Sequence, residues 1–344
     1  MRSALTALAT LAAAALLSAQ FGTQALAQSA VPVRIGVIPV IGAAPVFVAD
    51  REGGLKQAGL TPAFTTFESG PNMIQALASG TIDVYVAGIA PLAVARSKGI
   101  DVRVVAATAI EEMVFVAGPK LAPYFAAAPD KAEALRQFKA KENRPARLAT
   151  QPPGSVPNTT LQHWLWQAAK ADKADVQVVA MGIDATQQAL LAGAVDGASI
   201  REPALTIVQE RNPAIKLIAT GAEMFPDQPG TVVAVSGAFA DKNPAAVQGL
   251  VDALVKATQT LKTDPDRAAP AVEQALGKGI TDVATIRRAI TSPAAKFTAD
   301  PRVIVEATKA MQDYQVSIGT LDKAVPVDGL FVPSYYEKAA QPAR

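Results

Sequence analysis

Gln75-Ala76-Leu77-Ala78-Ser79-Gly80-Thr81-Ile82-Asp83-Val84-Tyr85-Val86-Ala87-Gly88-Ile89-Ala90-Pro91 decides the fold. Its first residues close a helix that Pro71 opens, and Gly80 ends that helix because glycine accepts the left-handed backbone of a helix stop. Thr81 to Val86 reads as a strand. Gly88-Ile89-Ala90 is a small-residue turn, and Pro91 starts the next helix. Alternating strand and helix units of this length predict a parallel sheet flanked by helices.

The unit recurs. Gln188-Ala189-Leu190-Leu191-Ala192-Gly193-Ala194-Val195-Asp196 repeats the helix, glycine stop, strand and acid of Gln75 to Asp83. Proline marks the helix starts at Ala44-Pro45, Gly70-Pro71, Ala90-Pro91, Val156-Pro157, Glu202-Pro203 and Asn243-Pro244. It suits the first helical position, where an N–H would have no partner and a preset φ helps. The first five sites follow strand-type stretches, so the helix starts line one sheet edge, where α/β proteins bind ligands. Their free N–H groups suit an anion. Two versions of one plan predict two lobes, residues 33–117 plus 231–344 and residues 118–230. The chain then crosses twice, near Ala117-Gly118 and near Gly230-Thr231, which makes a hinge beside a cleft. Beyond a return strand from Thr231 to Ser236 the pattern is helical, an extension on the first lobe.

Length and composition agree with this plan. The 344 residues are enough for two cored lobes. The net charge of +2 is scattered and aromatics make up 5%, so the clustered basic and stacking residues of a nucleic-acid surface are missing. Arg2, the apolar run from Leu5 to Leu17 and Ala25-Leu26-Ala27 predict a signal peptide, residues 1–27, cleaved after Ala27. No other stretch is long and apolar enough for stable membrane insertion. The chain has no cysteine, which excludes disulfides, thiolate catalysis, cysteine zinc sites and a lipid-modified cysteine. Export without an anchor predicts the periplasm, and the absence of any assembly repeat predicts a monomer.

The chain resembles the nitrate/sulfonate/taurine group of periplasmic substrate-binding proteins of ABC transporters. The likeness rests on Gly42-Ala43-Ala44-Pro45, Ser69-Gly70-Pro71, Ala76 to Asp83, Gly88-Ile89-Ala90-Pro91, Gln151-Pro152-Pro153-Gly154-Ser155, Ala192 to Gly197 and Glu202-Pro203, in that order. It runs from about Val33 to Pro244. It implies a two-lobed periplasmic binding protein fold of type II kind, each lobe a mostly parallel α/β sheet. It also implies delivery of a small solute to an inner-membrane ABC permease. Where many relatives look apolar or aromatic just before Glu-Pro, this chain has Arg201, so no single relative dictates the solute.

Arg201 is the leading candidate for a ligand contact, since a guanidinium at a strand end can clamp a sulfonate or carboxylate with two hydrogen bonds. Glu202 accompanies it. Ser69, Gly70 and Asn72 offer a hydroxyl and free N–H groups at one helix start; Ser155, Asn158 and Thr159 do so at another. Gly42, Ala43, Ala44, Gly88 and Ile89 offer backbone N–H groups and close approach. Glu111 and Glu112 are adjacent, so at most one faces the cleft. With Glu111 there to hold an ammonium, and Arg201 opposite, a zwitterion such as taurine fits.

These residues predict a receptor for a small anionic or zwitterionic organic solute, sulfonates first and carboxylates second. No cofactor and no metal are expected, because His163 is the single histidine and a metal site needs three or four ligands. No enzyme is expected either: no nucleophile elbow, phosphate loop or zinc-protease motif is present. The rival readings are a receptor for a thiamine-precursor-like pyrimidine, stacked on Trp164, Trp166, Tyr85 or Tyr124, an exported enzyme, and a sensory receptor.

Overall fold

The computed structural model describes residues 30–276 and 281–341; the expected signal peptide lies outside them. Twelve strands occur among the described residues: β1 Val31–Val37, β2 Leu60–Thr66, β3 Val84–Gly88, β4 Val102–Ala107, β5 Ala109–Ile110, β6 Val114–Ala117, β7 Ala146–Thr150, β8 Val176–Ala180, β9 Gly197–Ile200, β10 Lys216–Ala219, β11 Thr231–Ser236 and β12 Lys296–Phe297. Two five-stranded sheets hold ten of them, in the orders β2-β1-β3-β11-β4 and β10-β6-β9-β7-β8. The other two, β5 and β12, pair with each other.

Position in the sheet explains the composition of each strand. β3 is central, and all five residues of Val84-Tyr85-Val86-Ala87-Gly88 are buried. A parallel strand covered on both faces reads as an unbroken apolar run. β2 lies at the edge and is mostly exposed, with two threonines at its end. In β6 the faces alternate. Phe115 joins one core with Phe138 and Trp164, while Val114 and Val116 join another with Ala149, Leu190 and Leu205, as the two-residue period requires.

Each sheet has one reversed strand, and it is the strand by which the chain enters from the other sheet. β6 is antiparallel to β9 and β10; β11 is antiparallel to β3 and β4. A βαβ unit carries the chain back to the far edge before the next strand begins, so its strands all end at one edge. A chain that passes directly from one sheet to the other starts at that edge and must run the opposite way. β6 therefore belongs to the second sheet, and the first crossing lies between Ile110 and Val114, a few residues before the expected Ala117-Gly118.

The helix starts follow the prolines. Proline occupies one of the first two positions of the helices Ala44–Arg51, Gly70–Ala78, Ala90–Ser97, Val156–His163 and Pro244–Thr263. Pro203 is the N-cap of Ala204–Arg211. The helix expected over 157–171 is α-helical only to His163 and passes into a π-helical turn, Trp164–Ala168. The helical tail packs on the first sheet, where Leu250, Leu254 and Val272 share a core with Ile35 and Val86. It also reaches the second half: Arg288 pairs with Glu210 at 2.5 Å. No helix among the described residues is long and apolar enough to cross a membrane.

Candidate functional site

The C-terminal edges of the two sheets face each other, strand end against strand end. Past β1, the Ile41 N–H donates to the Glu202 carbonyl past β9, at 2.9 Å. Past β2, Glu68 lies so close to Gly182 that a Cβ there would fall 2.8 Å from its carboxylate. At the end of β3, a Cβ on Gly88 would fall 2.7 Å from Val156 Cγ2 at the start of the helix after β7. Glycine at 88 thus fits the approach of the other half, while at 182 the facing atom ends a flexible side chain that can move aside.

Between these edges lies a cavity of about 190 Å3. Pro39 and Val40 wall it from the first half. Gln151, Asp184, Gln187, Ser199, Arg201 and Glu202 bring polar groups from the second. Water occupies about 30 Å3 per molecule in the liquid, so the space suits a small solute. No aromatic side chain lines it among the described residues.

Arg201 does not stand free. Its guanidinium donates to Glu112 at 2.8 Å, and Thr231 donates to the same carboxylate oxygen at 2.6 Å. Both ionic side chains are about 4% exposed or less. Glu112 sits on the first crossing, Thr231 opens β11 after the second, and Arg201 follows β9. Gly42 completes the nest, because a Cβ there would land 2.2 Å from Glu112 Oε2. The pair is not saturated: Arg201 Nε and Glu112 Oε2 are buried without hydrogen-bond partners, as is Ser199 Oγ. Burial pushes the Tyr85 hydroxyl pKa far up, against the opposing pull of the Arg201 charge; Tyr85 donates to the Gly88 carbonyl at 2.8 Å.

The remaining acids have different work. Glu111 turns away, with φ of 49°, and pairs with Lys296. Glu202 accepts from the Thr206 N–H and hydroxyl, both at 3.0 Å. Burial raises its pKa above the ordinary 4.5, partly offset by hydrogen bonds from Ser292 and Thr206. Asp184, in the first turn of the helix Ile183–Leu191, is exposed to solvent at the cavity rim.

Of the residues expected to bind ligand, the structure brings Arg201 and Glu202 to the cavity wall. Ser69 caps its helix through the Asn72 N–H, and Asn72 itself is exposed. Gly70 packs against Tyr85, where a Cβ would fall 2.5 Å from the hydroxyl. Ser155 accepts from the Asn158 N–H, Asn158 Oδ1 accepts from Gln162, and Thr159 donates to the Ser155 carbonyl. None of these groups, nor buried Ala43, Ala44 and Ile89, is in the cavity lining. Trp164 stacks on Phe115 at 4.6 Å, Trp166 packs on that same core and Tyr124 is edge-on to Phe138, so three of the rings expected for a pyrimidine belong to the second core, and the fourth, Tyr85, is buried in the first. His163 lies in another groove, its Nδ1 on the Met224 carbonyl at 2.8 Å.

Sequence reading missed Asp184, Gln151, Gln187 and Ser199. The helix bearing Asp184 and Gln187 is capped by Gly182 and has no proline at its start, so the signal that found the others was silent there.

Comparisons with known proteins bear on the same architecture. The periplasmic nitrate-binding protein NrtA from Synechocystis PCC 6803 superposes with a TM-score of 0.78 at 15% identity, covering 90% of this chain and 88% of that one. The alkanesulfonate-binding protein SsuA from Xanthomonas axonopodis, bound to MOPS, gives 0.70 at 21% identity over 89% and 99%. These likenesses show a periplasmic binding protein fold. In sequence, the chain is 27% identical over 249 residues to the nitrate import ATP-binding protein NrtC of Synechococcus elongatus, covering 70% of this chain and only 37% of that protein. It is 24% identical over 252 residues to a putative binding protein of Brucella abortus, covering 69% of each. The model of the NMT1-like family matches residues 27–276, and with that match across most of its length the chain belongs to the NMT1-like family.

Proposed function

We propose that this protein is the solute-binding component of an ABC importer, exported to the periplasm, and that it captures a small anionic or zwitterionic organic molecule between its two halves. The observation that carries the reading is the unsatisfied, buried Nε of Arg201, a residue that lines a partly open cavity between two sheet edges. A buried donor of a charged group without a partner is costly, and a sulfonate or carboxylate oxygen would satisfy it. The nitrate- and sulfonate-binding names of the structural neighbours and the import role of the sequence relative support the same class. Sulfonates come first and carboxylates second.

The lobes of this proposal are residues 31–113 with 231–341 and residues 114–230. Hinge closure about the two crossings buries the solute and presents a closed face to a permease. Closure is driven only by the extra contacts the solute makes in the closed form. The protein acts as a monomeric receptor and not as an enzyme. Gly42, Ser69, Gly70, Gly88, Ser155 and Asn158 then serve the closed form by letting the edges meet.

A thermal-shift screen of sulfonates, carboxylates and nitrate on the leaderless protein tests the reading. A solute held at a hundred times its Kd stabilises the native state by about 2.7 kcal/mol. The charge-balanced double variant Arg201→Ala/Glu112→Ala should lose that shift. A shift that survives in the double variant removes Arg201 from the site, and turnover of a bound compound replaces the receptor with an enzyme.

A further inference from the structure

The helical tail does more than cover the first sheet. Its segment 282–297 holds the helix Val283–Ile290 and β12. Ile286, Ile290 and Phe297 lie in the core of the first half, whereas Ala294 lies with Leu205 and Val208 in a core of the second. β12 then pairs with β5, just before the first crossing.

This segment grips one helix of the second half at both ends. The helix is Ala204–Arg211, and Arg201-Glu202 stands just before it. In its last turn Glu210 accepts from Arg288 Nε at 2.5 Å and from the Thr285 hydroxyl at 3.1 Å. The Arg288 guanidinium also donates to Thr285 at 2.9 Å. An acid in the last turn faces the negative end of the helix dipole. Glu210 is therefore poorly placed without a cation, and the cation comes from the other half. At the near end, Ser292 donates to the Glu202 carboxylate, and the Ile41 N–H donates to the Glu202 carbonyl.

Between the two grips the surfaces part. A gap of about 360 Å3 is lined by Leu205, Thr206 and Gln209 on one side and by Ser292, Pro293 and Ala294 on the other. Protein interiors leave few voids larger than a water molecule. Polar contacts at the ends with unfilled space between them give up little when they separate. The ion pair is itself 52% and 38% exposed, and exposed pairs are weak in water. Such a contact can break and re-form.

We propose that segment 282–297 is a latch. Through Arg288 it clasps the helix behind Arg201-Glu202 to the first half, and so favours the closed form before any solute arrives. The proposal rests on the hinge closure described above: opening carries the helix away with the second sheet and parts Arg288 from Glu210.

The chain has no cysteine, so spin labels attach only where cysteine is introduced. Gln75→Cys and Ala185→Cys place them at exposed positions on the helices Gly70–Ala78 and Ile183–Leu191, one in each half. Pulsed dipolar spectroscopy of the unliganded, leaderless protein then reads the separation. Arg288→Glu sets two acids against each other and should lower the ratio of closed to open distances about fivefold, the upper scale of an exposed ion pair. Exchange of the charges, Glu210→Arg with Arg288→Glu, should restore the ratio, which a mere loss of packing would not allow. A distribution that Arg288→Glu leaves unchanged overturns the latch, and so does a shift that the exchange fails to reverse. The thermal-shift screen judges the receptor separately, since capture of a solute needs no latch.

Discussion

Arg201 donates to Glu112 at 2.8 Å in a site where neither side chain is more than 4% exposed. One residue follows β9 of the second sheet and the other lies on the first crossing, while Thr231 at the second crossing donates to the same carboxylate. A single buried ion pair therefore joins both crossings to the edge of the second sheet. Its energetics are asymmetric. Each charge has lost its water, and the other charge is its main compensation.

Removal of one partner should consequently be far worse than removal of both. Glu112→Ala or Arg201→Ala alone leaves an uncompensated buried charge and should cost about 3–5 kcal/mol. Glu112→Met with Arg201→Met should cost much less than the sum of the single changes. Urea denaturation of the four proteins, treated as a double-mutant cycle, reads the coupling. Additive losses would mean that the two charges do not compensate each other.

Gly42 gives a second measure of the same nest. A Cβ there would fall 2.2 Å from Glu112 Oε2 and 2.7 Å from Thr231 Oγ1. Overpacking of this kind costs about 1–3 kcal/mol, and Gly42→Ala should destabilise the protein on that scale. In a Glu112→Ala background the nearer of the two oxygens is gone. The alanine should then cost less there than in the wild type, again by urea denaturation, and an equal cost in both backgrounds would place the clash elsewhere.

The legibility of the fold and of the site differ for a physical reason. Proline at a helix start, glycine at a helix end and an apolar run in a central strand are local requirements of the backbone, so Gly80, Pro91 and Val84 to Gly88 announced the α/β plan unaided. The partner of Arg201 is 89 positions away, and nothing local distinguishes Glu112 from Glu111. Only the turn of the first crossing, with φ of 49° at Glu111, sends one acid to Lys296 and the other inward. The helix-start residues Ser69 and Ser155 were read as ligand contacts, and their capping role uses the same hydroxyl for the backbone. Asp184 escaped because a glycine-capped helix carries no proline.

Glu202 predicts a pH dependence. Burial raises its pKa in the folded protein above the ordinary 4.5. The native state then binds the proton more tightly than the unfolded chain. The stabilisation from this proton is complete below the unfolded value, and it is lost as pH rises through the folded one. At neutral pH the carboxylate is thus a burden on the fold. Glu202→Gln keeps an oxygen for the Thr206 N–H and removes the charge, so it should equal or exceed the wild type in stability at pH 7. That advantage should shrink as the pH falls toward 4.5. Denaturant midpoints across this range check it; an advantage that grew toward acid would reverse the sign.

The last prediction concerns closure. Gly88 ends a central strand of the first sheet, and a Cβ on it would meet Val156 Cγ2 at 2.7 Å across the gap. Val156 is 1% exposed and opens the helix that Ser155 caps, so it has little room to withdraw. Gly88→Ala should therefore hold the two edges apart while each sheet keeps its own core. If binding requires their meeting, affinity for any solute found by the screen should fall about tenfold or more, the equivalent of about 1.4 kcal/mol of lost closure energy. Val156→Ala removes the atom that is struck, so the double variant should recover most of that affinity. Small-angle scattering with saturating solute should show the single variant more extended than either the wild type or the double variant. A single variant that binds normally and scatters like the wild type would show that the edges need not meet at this point for the solute to be held.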